Sequence, residues 1–333
     1  MKPKSSQKIP SPIYGTAFAF DETTSLVEAA LHAGFRGIDT AGALGAYREK
    51  MVGDGIRNCV KSGLIKRDDL YIQTKFSPYK PGKDPALYPY DTTVDIETQV
   101  QQSVASSLSN LGTDYIDCLV LHSLYADFDD TLRAWRAMEA FVPAQIGLLG
   151  VSNTDLGTLR RIYDLAGTDT KPVTVQNRFT QSTSSDPLDP KMPPGIPYPD
   201  DKYDAGVRDF CAKYGIKYTP WGVLWGSPEL LEGIEADHLS EIADEIGVTK
   251  QVAFYVCLQD IAFVDGCEVG VLCGTKTIRR MSETIHGLQQ IGEFLAASPG
   301  NKERWKRLID GFRKIIGTQN ACGYQGKNRI GIT

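Results

Sequence analysis

Eight short apolar runs, each followed by a stretch of helical period, constrain this chain more than any other feature of its sequence. The runs are PIYGT (12–16), FRGID (35–39), LYIQTK (70–75), YIDCLVLH (115–122), IGLLGVS (146–152), PVTVQN (172–177), GIKYTPW (215–221) and EVGVLCG (268–274). Between them lie amphipathic stretches. TSLVEAALHAG places Leu26, Ala29, Ala30 and Ala33 on one stripe, and IETQVQQSVASSLSNLG carries Val100, Val104 and Leu108 before stopping at Gly112. This alternation is the pattern of βα units around a parallel sheet, and eight of them predict an α/β fold, a (β/α)8 TIM barrel.

Nothing in the 333 residues cuts the chain in two, so a single barrel domain over 1–333 is expected. Residues 1–11 read as a flexible N-terminal tail and 320–333 as a polar C-terminal tail. The Pro/Asp/Ser-rich stretch 178–204 reads as a long loop at the C-terminal face, a lid or binding loop in which Tyr198 and Tyr203 can pack. An open doubly wound sheet instead requires a Gly-rich phosphate turn after an early strand. The nearest candidate, VGDGIR (52–57), lacks the third glycine and falls inside a helical pattern.

A net charge of −5 argues against nucleic acid or an anionic membrane as partner. The apolar runs are strand-sized, and the basic start MKPKSSQKIPSP has no apolar core of a secretory signal. The seven cysteines form no C-x-x-C pair, and no His/Cys ligand cluster is present, so no metal is expected. A cytoplasmic protein with reduced thiols is expected, with a monomer as the default state.

In a barrel of this type function sits where strands end at the C-terminal face. The predicted strands end at Gly15-Thr16, Asp39, Lys75, His122, Ser152-Asn153, Gln176-Asn177, Trp221 and Cys273-Gly274. Each residue alone has an ordinary explanation: Asp39 as a helix cap, Lys75 as a solvated side chain, His122 as a core residue. Together they are unusual, because a buried Lys75 needs a carboxylate and Asp39 is the nearest.

GFRGIDTA…YREKMVG, YIQTK, DYIDCLVLH, GLLGVSN and VTVQN stand in the order and spacing of the aldo-keto reductases, and the chain resembles that family from about residue 12 to about 290. The resemblance implies NAD(P)H-dependent reduction of an aldehyde or ketone, with a catalytic tetrad of Asp39, Tyr47, Lys75 and His122. Tyr47 is then the general acid, Lys75 lowers its pKa, Asp39 holds Lys75 charged, and His122 orients and polarises the carbonyl.

The same resemblance implies that Ser152, Asn153 and Gln176 hold the nicotinamide carboxamide, that Trp221 stacks on its ring, and that Gly15 and Thr16 approach from the barrel floor, beside Asp39. After the eighth strand, Thr275, Lys276, Arg279 and Arg280 offer charge and hydroxyl to a 2′-phosphate, and Glu283 falls where relatives meet adenine or ribose. Gly274 replaces the usual lysine there, so NADPH is expected, with NADH possible. Phe76, Tyr79, Leu124 and Tyr125 are expected to line an apolar, aromatic substrate pocket. The long spacing from Asp39 to Val52 is similar to that of a largely fungal subset acting on sugars, small ketones or secondary metabolites. The rival reading is a non-catalytic cofactor-binding protein, like the β-subunits of potassium channels. A barrel hydrolase or isomerase using Asp39 and His122 lacks paired carboxylates or a metal cluster to support it.

Overall fold

The computed structural model describes residues 8–185, 198–232, 236–261 and 266–317. Eight strands form one sheet: β1 (Ile13–Gly15), β2 (Gly37–Asp39), β3 (Tyr71–Phe76), β4 (Ile116–Leu121), β5 (Ile146–Ser152), β6 (Thr174–Gln176), β7 (Lys217–Tyr218) and β8 (Leu272–Cys273). Their order is β7-β6-β5-β4-β3-β2-β1-β8, and all neighbours run parallel. The two ends meet. Tyr218 bridges Val269, its N–H donates to the Glu268 carbonyl at 2.8 Å, and its carbonyl accepts from Gly270 at 2.7 Å. The sheet therefore curls into a ring without a free edge, with helices on its outside.

The last two strands are shorter than the runs 215–221 and 268–274 suggested. Pro220 has no N–H to offer a ladder, and the closing seam is paired through residues 268–270, ahead of β8. The chain stays beside β6 nonetheless, since the Trp221 N–H donates to the Asn177 carbonyl at 2.9 Å.

Side-chain alternation divides the strands between two cores. Ile13, Tyr71, Cys118 and Val120 fill a cluster with Ile9, while Ile72, Phe76, Leu119 and Leu121 join the larger core shared with the helices. Ile9 is buried, and its carbonyl accepts a 2.7 Å hydrogen bond from the Lys217 ammonium. Residues 9–11, expected as part of a loose tail, thus pack against the floor of the barrel, while Lys8 is exposed; 1–7 lie outside the described residues.

The first helix, Thr23–Ala33, buries Leu26, Val27, Ala30 and Leu31, with Ala29 and Ala33 at the margin. Its buried stripe is rotated by about one residue from the one read in the sequence, because Val27 and Leu31 carry more apolar surface than the alanines. The helix Ile96–Leu111 follows its pattern closely. Asp95 caps it by accepting the Thr98 N–H at 2.7 Å, and Gly112 ends it at φ 66°. The G-x-G of VGDGIR lies inside the helix Glu49–Lys61 and serves packing: a Cβ on Gly53 would stand 2.2 Å from the Asn110 carbonyl oxygen. No described helix is long and apolar enough to cross a membrane.

Helix propensity alone makes Gly→Ala favourable by roughly 1 kcal/mol. At Gly53 the methyl group meets backbone, so Gly53→Ala is expected to destabilise by about 1–3 kcal/mol, the range for overpacking. A thermal melt that rises in this variant would contradict the close approach of the two helices.

Candidate active site

Lys75 is 2% exposed, and its ammonium group is fully engaged by the top of the barrel. Nζ lies 2.8 and 2.7 Å from the Asp39 carboxylate oxygens and 2.7 Å from the Thr40 carbonyl. Asp39 Oδ1 also accepts from Gln73 Nε2 at 2.7 Å, and Gln73 Oε1 accepts from the Tyr71 hydroxyl at 3.0 Å. Tyr71, Gln73 and Lys75 are successive inward residues of β3, so strand period alone lines up this relay. Burial works against the Lys75 charge, but Asp39 and Tyr47 outweigh it and raise its pKa.

The Gly/Ala-rich arm after β2 carries Tyr47 over this pair. The Phe18 N–H donates to the Ala46 carbonyl at 2.7 Å, the Leu44 N–H to the Leu87 carbonyl at 2.8 Å, and Arg48 to the Leu44 and Tyr47 carbonyls at 2.6 and 2.8 Å. The following helix starts at Glu49, so Tyr47 belongs to the arm and does not open the helix. Its ring is half-buried, with Lys75 Nζ 5.0 Å from the centroid and the His122 ring edge-on at 5.8 Å. Burial raises the Tyr47 pKa, Lys75 lowers it and Asp39 raises it, for a net rise. The lowering expected from Lys75 is present but is outweighed by loss of hydration, so the phenol keeps its proton at neutral pH.

His122 stands one residue past β4, and its N–H donates to the Phe76 carbonyl at 2.8 Å. Its Nδ1 is 2.6 Å from the Ser77 hydroxyl. Withdrawal from water, then the charges of Lys75 and Lys80, pull its pKa down to about 3, so the imidazole is neutral. The tetrad residues that sequence reasoning chose are therefore brought together, and Gln73 and Ser77 join them. Gln73 was readable as the residue two before Lys75 on one strand face; Ser77 carried no such signal.

Around the tetrad stand the expected amide-bearing groups. Asn153, at φ 55°, donates through Nδ2 to the His122 carbonyl at 2.8 Å and accepts from Trp221 Nε1 at 3.2 Å. The Ser152 hydroxyl donates to the Gln176 carbonyl at 2.6 Å, and Gln176 Oε1 is buried with no hydrogen-bond partner among the described residues. Thr16 directs both its N–H (3.0 Å) and its hydroxyl (2.9 Å) at the Asp39 carbonyl, next to Gly15, whose Cβ would meet Leu272 at 3.3 Å. Trp221 is half-exposed, 5.9 Å from the Trp225 ring.

Past β8, the Thr275 carbonyl accepts from the Tyr14 hydroxyl at 3.1 Å, Lys276 pairs with Glu22 at 3.2 Å, and Arg279 pairs with Glu283 at 2.5 Å. Arg280 is exposed on the same helix. Glu283, expected at the adenine or ribose, is thus held by its own helix.

Beside His122 lies a cavity of about 330 Å³ lined by Lys80, Leu124, Asn153, Asn177, Arg178 and Asp200, among others. Its lining mixes charged and amide side chains with Leu124, Tyr198 and Pro199. Phe76 follows the inward Lys75, so strand alternation turns it outward, fully buried against Tyr90. Tyr79 packs on Tyr88 at 5.3 Å, Tyr125 has a buried hydroxyl off the cavity, and of the four expected residues Leu124 alone lines it. Arg178, which opens the loop 178–204, is 2% exposed, its guanidinium 4.6 Å from the Tyr198 ring and 5.2 Å from Trp225. The described ends of that loop pair with each other: the Ser184 N–H with the Pro199 carbonyl (2.9 Å), and the Tyr203 N–H with the Thr180 carbonyl (2.7 Å). Residues 186–197 lie outside the described residues. Among the described residues no group of His, Cys, Asp and Glu is placed to hold a metal ion.

Residues 11–237 match the Aldo/keto reductase family. An uncharacterized oxidoreductase of Bacillus subtilis, YtbE, is 31% identical over 243 residues, covering 72% of this chain and 70% of that protein. The silkworm (Bombyx mori) aldo-keto reductase AKR2E4 is 30% identical over 180 residues, and the match spans only about half of each chain, 51% of this one and 52% of the relative. The crystal structure of AKR2E4 in complex with NADP superimposes with a TM-score of 0.61 at 21% identity, covering 86% of both chains, which shows the likeness of fold.

The depressed His122 pKa has a consequence for acid stability. The unfolded chain binds a proton at a histidine near pH 6.5, whereas the folded site resists one until about pH 3. Stability is therefore expected to fall as pH drops from about 6.5 toward 3. His122→Gln is expected to flatten that slope in denaturant melts; an unchanged slope contradicts a neutral buried imidazole.

Proposed function

The chain belongs to the aldo/keto reductase family, and on that premise we propose that it reduces an aldehyde or ketone to the alcohol, using a nicotinamide dinucleotide and a proton from Tyr47. The observation that carries this reading is the convergence of Tyr47, Lys75, Asp39 and His122 at one end of the barrel.

The residues present fit such a cofactor. Gln176 Oε1 is a buried acceptor that lacks a donor among the described residues, near Asn153 and Ser152 at the end of the neighbouring strand, and a carboxamide matches that set. Trp221 offers a half-exposed ring face. When bound, the dinucleotide supplies the hydride. His122 orients the substrate oxygen. Tyr47 then gives its phenolic proton to that oxygen as charge develops on it, and the adjacent Lys75 ammonium stabilises the phenolate left behind. Asp39 keeps Lys75 charged and fixed. The raised Tyr47 pKa suits an acid that must hold its proton until the alkoxide forms.

NADPH is the favoured reductant and NADH the second. The pairs Lys276–Glu22 and Arg279–Glu283 lie at the surface, where ion pairs are weak, so with Arg280 and Thr275 these cations are free to turn to a 2′-phosphate. Gly274 adds nothing to that grip. The mixed cavity lining, with Lys80, Asn177, Arg178 and Asp200 beside Leu124, Tyr198 and Pro199, favours a small carbonyl compound with both hydroxyl groups and an apolar part, in keeping with the largely fungal subset acting on sugars, small ketones or secondary metabolites that the long arm resembles. The chain acts as one barrel domain with long loops on its C-terminal face. It works as a cytoplasmic monomer without nucleic-acid or membrane partners; the six described cysteines are buried and form no disulfide with one another, as suits a reducing compartment.

Oxidation of NADPH and of NADH should be followed against a panel of aldehydes, ketones and sugars. Tyr47→Phe is expected to lose about 10²–10⁴-fold in turnover, the usual share of a general acid, while cofactor still quenches Trp fluorescence through Trp221. Unchanged turnover in that variant sinks the reading. Cofactor binding without turnover of any carbonyl by the wild-type protein points instead to the non-catalytic, cofactor-sensing alternative.

A further inference from the structure

Ser77 is placed with unusual firmness for a residue just past a strand. Its carbonyl accepts a 2.6 Å hydrogen bond from the Tyr90 hydroxyl, and the neighbouring Phe76 carbonyl accepts the His122 N–H at 2.8 Å. β3 and β4 thus stay paired up to the catalytic residues, and the Ser77 hydroxyl stands 2.6 Å from His122 Nδ1. The other ring nitrogen, Nε2, has no protein partner among the described residues. Asn153 Nδ2 fixes the His122 backbone by donating to its carbonyl at 2.8 Å, and the Tyr47 ring borders the imidazole.

A neutral imidazole carries one N–H and one lone pair, and its partners decide which nitrogen has which. A carbonyl oxygen offers lone pairs only, so His122 orients it by presenting an N–H. From this geometry we infer that Ser77 is a positioning residue: its hydroxyl donates to Nδ1 and so fixes His122 as the Nε2–H tautomer, with the single N–H directed at the substrate oxygen. This rests on the reductase reading for its purpose, while the tautomer is a property of the protein alone. The reverse tautomer places the proton between Nδ1 and Ser77 and turns a bare lone pair toward the carbonyl, which repels it. The neutral state that burial, with Lys75 and Lys80, imposes on the ring is what makes the choice of tautomer matter, since a doubly protonated ring has an N–H on either side.

The test uses ¹⁵N-histidine-labelled full-length protein. Only four histidines are present, and His122 is assigned by its loss in His122→Asn. Wild type is expected to show a protonated Nε2 and a bare Nδ1; protonated Nδ1 overturns the proposal. Ser77→Ala removes the donor and is expected to lower kcat/KM by about tenfold, the equivalent of one hydrogen bond. It should also mix the tautomers and move the acidic limb of the pH profile toward neutrality, because a hydrogen bond favouring the neutral ring is lost. Ser77→Thr keeps the hydroxyl and should restore both rate and spectrum. A Ser77→Ala protein with the wild-type tautomer overturns the proposal whatever its rate, since a packing defect alone produces that result. Should no carbonyl compound be turned over, the reductase reading fails, and the wild-type spectrum still decides the tautomer.

Discussion

The buried ion pair between Lys75 and Asp39 is the constraint around which the mouth of the barrel is built. Each charge loses several kcal/mol of hydration in such a place, and the pair recovers this only when every donor and acceptor is met. Here they are met from both strands that carry the pair and from the turn between them. Asp39 lies opposite Gln73 in the β2–β3 register, which puts the Gln73 amide on the carboxylate, and Thr40 takes the remaining ammonium proton. A slip of one residue in either strand would turn Lys75 or Asp39 outward and leave the other charge alone. The register of the second and third strands is thus tied to the electrostatics of the site.

The same cation acts on two other groups. Lys75 disfavours a second positive charge on His122 and favours a negative one on Tyr47. One ammonium therefore adds to the burial that keeps the imidazole neutral, and opposes the burial that holds the proton on the phenol. Hydration loss works with it on the histidine and against it on the tyrosine, and on the tyrosine hydration loss prevails. A group that must carry charge only briefly is well served by that balance, because its resting form is the neutral acid.

Much of this arrangement was legible in the sequence. The eight βα units, the strand-end position of Asp39, and the chemistry of a buried lysine needing a carboxylate all follow from local pattern. The failures have a common origin in tertiary context. Phe76 was misplaced in the pocket because its strand carries it on the outer face, one residue beyond Lys75. Lys80, Arg178 and Asp200 were missed as cavity residues because they come from loops whose course no periodicity encodes. Ser77 was missed because its hydroxyl acquires meaning only when β4 brings His122 alongside. The glycines of VGDGIR were correctly set aside as a phosphate turn, yet their use, letting one helix backbone touch the next, shows only in three dimensions.

The packing of Ile9 among Ile13, Tyr71, Cys118 and Val120, with its carbonyl held by Lys217, fills the barrel at the end where the strands begin, and Tyr47 stands at the other, its mouth. The groups suited to a dinucleotide, Gln176, Asn153 and Trp221, stand at that threshold together with the tetrad. A few residues ahead of the first strand thus brace one end of the barrel while the polar groups gather at the other.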